Sequence, residues 1–159
     1  MPAADEIRRV VEEVLKSIPL TELQSGTPAA SRGCGVFADV ESAVRAAGAA
    51  QRELISLPLD ARTRMIEAIR SAVLAHNESL SRDAVAETGL GNVRDKQVKN
   101  ALAAQKTPGV EDVGPSAFSD EHGLTLTERA PFGVIGAVTP VTNPIATITS
   151  NSIGMIAAG

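Results

Sequence analysis

The sequence predicts an α/β chain: a helical block, then a β element, then the first strand and helix of a parallel sheet that is itself incomplete. Three observations carry this. Between residues 40 and 85 apolar side chains recur every three or four positions, the period of helices packed along one face. At Leu124 the period becomes two, with Leu124, Leu126 and Glu128 alternating with Thr125, Thr127 and Arg129. Then comes PFGVIGAVTP (131–140), a nearly continuous apolar run of the kind that forms a strand buried on both faces of a parallel sheet.

The elements follow in order. Residues 5–18 read as an amphipathic helix, with Ile7, Val10, Val11, Val14, Leu15 and Ile18 on one face and Arg8, Arg9, Glu12, Glu13 and Lys16 on the other. Asp5 and Glu6 suit its start and Pro19 closes it. Residues 19–35 carry Pro, Gly, Ser and Thr without periodicity and read as a flexible linker. The chain thus divides into a helix (1–18), a linker (19–35) and a folded part (36–159).

The folded part opens with a helix marked by Val40, Ala43, Val44, Ala47 and Leu54, capped by Asp39 and broken by Pro58. Asp60 can cap a second, with the stripe Met65, Ile66, Ile69, Ala72 and Val73. Asn77 can cap a third, through Leu80, Ala84 and Val85 to Gly89. A polar helix covers about 92–105 and ends at Thr107-Pro108-Gly109. Residues 110–123, acidic and Gly-containing, read as a loop. After the apolar run, Asn143 is a natural N-cap and Pro144 suits the first helical position of a helix running to Gly159. A doubly buried strand needs neighbours on each side, and its crossover helix needs a strand to lead to. The expectation is therefore the front part of a longer α/β protein.

Composition removes several functions. Lys plus Arg number 15 against 19 Asp plus Glu, so the chain is mildly acidic, contrary to a nucleic-acid binder that neutralises phosphates. With no Trp or Tyr and three Phe, stacking on bases is a poor mode of recognition. One cysteine, Cys34, excludes an internal disulfide and a multi-Cys zinc site. No apolar run reaches the roughly 18 residues of a membrane span, and the mixed charges of the N-terminus do not form a secretory signal. A cytoplasmic protein without membrane or nucleic-acid partners is expected.

The chemistry-bearing residues are few. Cys34 sits between Gly33 and Gly35 in the linker, with no neighbouring base to make a thiolate, and reads as an incidental thiol. His76 and His122 lack partners at metal-ligand spacing. The Gly-x-Gly triplets at Gly33 and Gly89 follow no strand, so neither is a dinucleotide fingerprint. The junction Thr139-Pro140-Val141-Thr142-Asn143-Pro144 stands apart. Ligands bind at the carboxyl ends of strands in open α/β sheets. The helix that follows offers free N–H groups to an anion, and Thr142 and Asn143 add side-chain donors. Ordinary helix capping by Asn143 is the competing reading.

The segments GVFADVESAVRAAGAAQ, LPLDARTRMIEAIR, AVAETGLGNVRDKQVKN, KTPGVEDV, GLTLTERAPFGVIGAVTPVTNP and NSIGMIAAG, in this order, resemble the coenzyme-A-acylating aldehyde dehydrogenases, in the branch of acetaldehyde and propionaldehyde enzymes of ethanolamine and propanediol breakdown. The resemblance runs from about Gly35 to Gly159. It implies a three-part architecture, with a Rossmann-like cofactor domain, a catalytic domain and an oligomerising β element, of which residues 36–159 are the front of the cofactor-binding part. It also implies NAD-linked conversion of a short-chain aldehyde to acyl-CoA, with coenzyme A as co-substrate. A cysteine forms a thiohemiacetal, hydride leaves to NAD, and coenzyme A takes the acyl group from the thioester.

Residue by residue, the PVTNP segment matches the turn that lines the cofactor and oxyanion site of the family. Across the superfamily the turn reads Pro-aromatic-Asn-aromatic-Pro, and its Asn donates to the oxyanion. Aligned without gaps that position is Thr142, with Asn143 one residue later, so the donor is Thr142 Oγ or Asn143 Nδ2, the latter favoured for its fixed dipole. Thr139, Pro140 and Val141 are implied as the cofactor-side wall. Cys34 does not match the nucleophile motif, so the 159 residues alone are expected to be inactive. Residues 5–18 and their linker resemble the segments that direct such enzymes into bacterial microcompartments by docking on a shell protein, and a homo-oligomer is implied for the full-length form. The alternatives are a non-catalytic interaction or encapsulation module, or a truncated inactive product.

Overall fold

In the computed structural model, residues 35–159 are described. The expected targeting helix (1–18), nearly all of the linker and Cys34 lie outside them. Residues Val44–Gly159 form one compact unit.

Helix α1 is Val40–Ser56. As the sequence predicts, Asp39 starts it: Ser42 N–H donates to Asp39 Oδ1 at 2.7 Å and Ser42 Oγ to Oδ2 at 2.8 Å. These bonds favour the carboxylate and hold the Asp39 pKa below its ordinary value. Helix α2 is Leu59–Ala75. Its N-cap position is Pro58 rather than the expected Asp60, which lies in the first turn and pairs with Arg64. The fixed φ of proline, −66° here, sets up the helix start without a side-chain cap. Helix α3 is Asn77–Thr88 and α4 is Val93–Lys106. Asn77 does not cap α3: His76 holds the N-cap position, and Asn77 Nδ2 donates to Gln97 O at 2.8 Å, tying α3 to α4. Gly89 ends α3 with φ +66°, the left-handed conformation expected of a C-cap glycine. Asn92 caps α4 by accepting the Asp95 N–H at 2.9 Å.

Residues 110–123 are not a loop throughout. A 3-10 turn covers Val110–Asp112, and Ser116–Asp120 forms strand β1. It pairs antiparallel with β2, Gly123–Thr127, in the register Ser116↔Thr127 to Asp120↔Gly123. Every residue of this hairpin is exposed. The apolar run 131–140 carries no strand ladder. The only sheet among the described residues is the β1–β2 hairpin, and a parallel strand exists only with a paired neighbour. Val134 and Ile135 instead line a 450 Å³ apolar cleft with Leu54, Leu57, Met155 and Ile156. Phe132 and Val138 stay 87% and 97% exposed, so the run is apolar without being buried.

The last helix, α5, is Pro144–Ala158, with Pro144 in its first turn as expected. The core is small. Ile66 of α2 meets Ile153 and Ala157 of α5, flanked by Ile69, Val110 and Ile156. Burial of a side chain such as Ile153 contributes about 1.5–3 kcal/mol. Two arginines of α2 complete the packing by donating to carbonyls at or near helix ends. Arg62 donates to Ala157 O at 3.3 Å and Leu54 O at 3.4 Å, and Arg70 to Ala104 O at 2.7 Å and Thr107 O at 2.9 Å. A cation placed at a helix C-terminus bonds its carbonyls and faces the negative end of the dipole together.

Candidate functional site

The site is built on the entry to α5. Thr139, Pro140, Val141 and Thr142 are exposed, with Val141 at 63%, and Asn143 is half-buried. The structure thus brings the five sequence-predicted residues to one turn. Asn143 occupies the N-cap position, yet its side chain makes no cap hydrogen bond. The first backbone bond of α5 runs from Thr147 N–H to Asn143 O at 3.1 Å. The N–H groups before it, on Ile145 and Ala146, have no intrahelical acceptor, and Pro144 has no N–H.

Two lysines of α4 meet this turn. Lys96 is buried, 7% exposed, and its Nζ donates to Thr142 O at 3.0 Å. Lys99 Nζ donates to Asn143 Oδ1 at 3.4 Å. An ammonium has only donors, so its contact fixes which end of the Asn143 amide faces α4. The Nδ2 end has no hydrogen-bond partner among the described residues. The capping role that competes for Asn143 is therefore not taken up, and its amide is left to donate elsewhere.

A groove of 630 Å³ runs from this turn between α4 and α5, lined by Lys99, Lys106, Asn143, Thr147 and Asn151 among others, with no carboxylate. Unused N–H groups, amides and ammonium groups suit an anion such as a dinucleotide phosphate, so the residues fit that kind of ligand. Sequence reasoning missed Lys96 and Lys99. Both lie in a helix that reads as uniformly polar, and their contacts span 46 and 44 residues.

The other residues considered form no site. His76 sits at the α2–α3 junction. His122 is in the hairpin turn, 84% exposed at the side chain, with Nε2 4.0 Å from Glu121 Oε1. Among the described residues no three His, Cys, Asp or Glu side chains group as a metal site, and no helix is long and apolar enough to cross a membrane.

Comparison with known proteins settles the family. Residues 11–159 match the model of the aldehyde dehydrogenase family. The chain belongs to the aldehyde dehydrogenase family. Among acylating members, the acetaldehyde dehydrogenase (acetylating) EutE of Escherichia coli (strain K12) is 46% identical over 150 residues, covering 94% of this chain and 32% of that enzyme. The chain therefore spans 32% of the length of this curated aldehyde dehydrogenase. The propionaldehyde dehydrogenase from the Clostridium phytofermentans fucose utilisation bacterial microcompartment superposes with a TM-score of 0.74 at 51% identity, over 78% of this chain and 28% of that one. An engineered glycolyl-CoA reductase with bound NADP+ matches with the same TM-score and identity, over 78% of this chain and 29% of that one. The helices and hairpin thus correspond to the N-terminal part of acylating aldehyde dehydrogenases, an α/β fold.

Proposed function

We propose that this chain is the N-terminal part of an acylating aldehyde dehydrogenase. The reaction is RCHO + CoA–SH + NAD(P)+ → RCO–S–CoA + NAD(P)H + H+, on a short-chain aldehyde. The observation that carries the reading is the Asn143 side chain, which sits at a helix N-cap without capping and has its oxygen engaged by Lys99.

In this reading the Asn143 amide, with Thr142 Oγ beside it, donates to the oxygen of the aldehyde as it gains negative charge under attack by a cysteine thiolate. Thr139, Pro140 and Val141 wall the nicotinamide side, and the free N–H groups at the start of α5 face phosphate. The bound dinucleotide supplies the hydride acceptor. NAD is the acceptor inferred from the family branch, and NADP+ is held by one matched enzyme. Residues 36–159 serve as the front of the cofactor-binding part.

The test is kinetic and uses the product of the gene in its native reading frame. Asn143→Ala is expected to lower kcat by about 10²–10³-fold, the effect of removing one oxyanion donor. Thr142→Val is expected to fall less. Equal kcat in wild type and Asn143→Ala, or a larger loss at Thr142, contradicts the assignment.

A further inference from the structure

Lys96, like Arg62, is a buried cation held by backbone carbonyls, and of the two it alone reaches the turn before α5. Its ammonium is buried, and among the described residues no carboxylate pairs with it. Its partner is a backbone carbonyl, Thr142 O at 3.0 Å, 46 positions along the chain. A buried charge is costly unless something fixes it in place. Lys96 lines a crevice of about 10 Å³ with Lys99, Asn100, Asn143, Pro144 and Ala84, room for one water at most. The bond is part-buried, and its ionised donor makes it stronger than a bond between neutral groups.

The lysine stands on a rigid base. Asn92 caps α4 one turn before it. Gly91 lies against its stem, since a Cβ there would meet Lys96 Cε at 3.8 Å. One turn later Asn100, also buried, donates to Ser81 Oγ at 3.1 Å and fixes α4 to α3. The ammonium is therefore held from below and grips the turn above it.

We propose that Lys96 is a positioning residue for this reaction: by holding the Thr142 carbonyl, its ammonium sets the direction of the Thr142–Asn143 peptide and so the place from which Asn143 donates. The link is covalent geometry. The peptide is planar and trans, so its carbonyl and the next N–H point opposite ways. Turning Thr142 O toward α4 turns Asn143 N–H away from it, and that N–H has no backbone acceptor. Lys99 then orients the side-chain amide of the same residue. The inference rests on the functional reading above.

Three variants in the product of the native reading frame test it: Lys96→Met, Lys96→Gln, whose amide nitrogen falls one bond short of the lysine nitrogen, and Lys96→Arg. Steady-state kinetics are read beside thermal melting. Lys96→Met and Lys96→Gln are expected to lose about a hundredfold in kcat, the size of a misplacement of about 1 Å. Aldehyde KM should stay within about threefold, and Lys96→Arg should recover most of the loss. An active wild type with unchanged kcat in a folded Met or Gln variant overturns the positioning role and leaves the functional reading intact. Loss of folding in both, restored by Arg, also overturns it, because the role is then stability alone. A wild type that forms no acyl-CoA defeats the functional reading itself.

Discussion

Asp39 shows how one side chain couples sequence, local structure and pH. Its carboxylate accepts the Ser42 N–H and the Ser42 hydroxyl, and the backbone bond is the larger cause of its lowered pKa. The unfolded chain titrates at the ordinary value of 3.8 and the folded one lower. The cap is therefore fully present above that value and is lost as pH falls through the folded pKa. In an acid titration followed by NMR, the Ser42 amide is expected to shift with a midpoint below 3.8. Asp39→Ala should abolish that transition. A midpoint above 3.8 contradicts the cap. Glu111 follows the same sign, held down first by the Gly109 N–H at 2.8 Å and also by Arg70. At this scale the sequence is readable where a residue acts on near neighbours, as Asp39, Gly89 and Pro144 do, although Asp60 and Asn77 do not take the caps expected of them. Lys96, Arg62 and Arg70 act on carbonyls of distant segments, and no periodicity records that.

Elements depend on partners as well as on their own residues. Helices α1, α2 and α3 are legible because an apolar stripe and a stop signal lie within each; α4 reads as polar and is bounded by Thr107-Pro108-Gly109. Strand β1 is not, since SAFSD lacks β-branched residues and sits among acids; pairing with Gly123–Thr127 makes it a strand. The run 131–140 errs the other way: its apolar character reads correctly, but a ladder needs a neighbour that the described residues lack. The amphipathic segment 5–18 lies outside the described residues, and its reading as an encapsulation signal is a proposal. One matched enzyme comes from a microcompartment, and an isolated helix this short needs a surface for its apolar face. A fluorescent protein bearing residues 1–20 is expected to gather in puncta in cells that assemble shells. Diffuse fluorescence there, equal to that of an Ile7→Glu, Val11→Glu control, would argue against it.

The described residues hold a small core, an exposed hairpin and the turn that enters α5. The core of Ile66, Ile153 and Ala157 fixes α2 against α5, and α5 carries Asn143 at its entry. The lysines of α4 then hold the turn from beside it. In the proposed function this turn belongs to an enzyme that transfers an acyl group to a thiol. Product identity tests this most directly. The product of the native reading frame is supplied with propionaldehyde, coenzyme A and NAD or NADP+, and acyl-CoA and reduced nicotinamide are quantified together. Propionyl-CoA is expected in equal amount with reduced nicotinamide, and none is expected from the 159-residue chain alone. Free propionate without propionyl-CoA, or no nicotinamide reduction by the gene product, would contradict it.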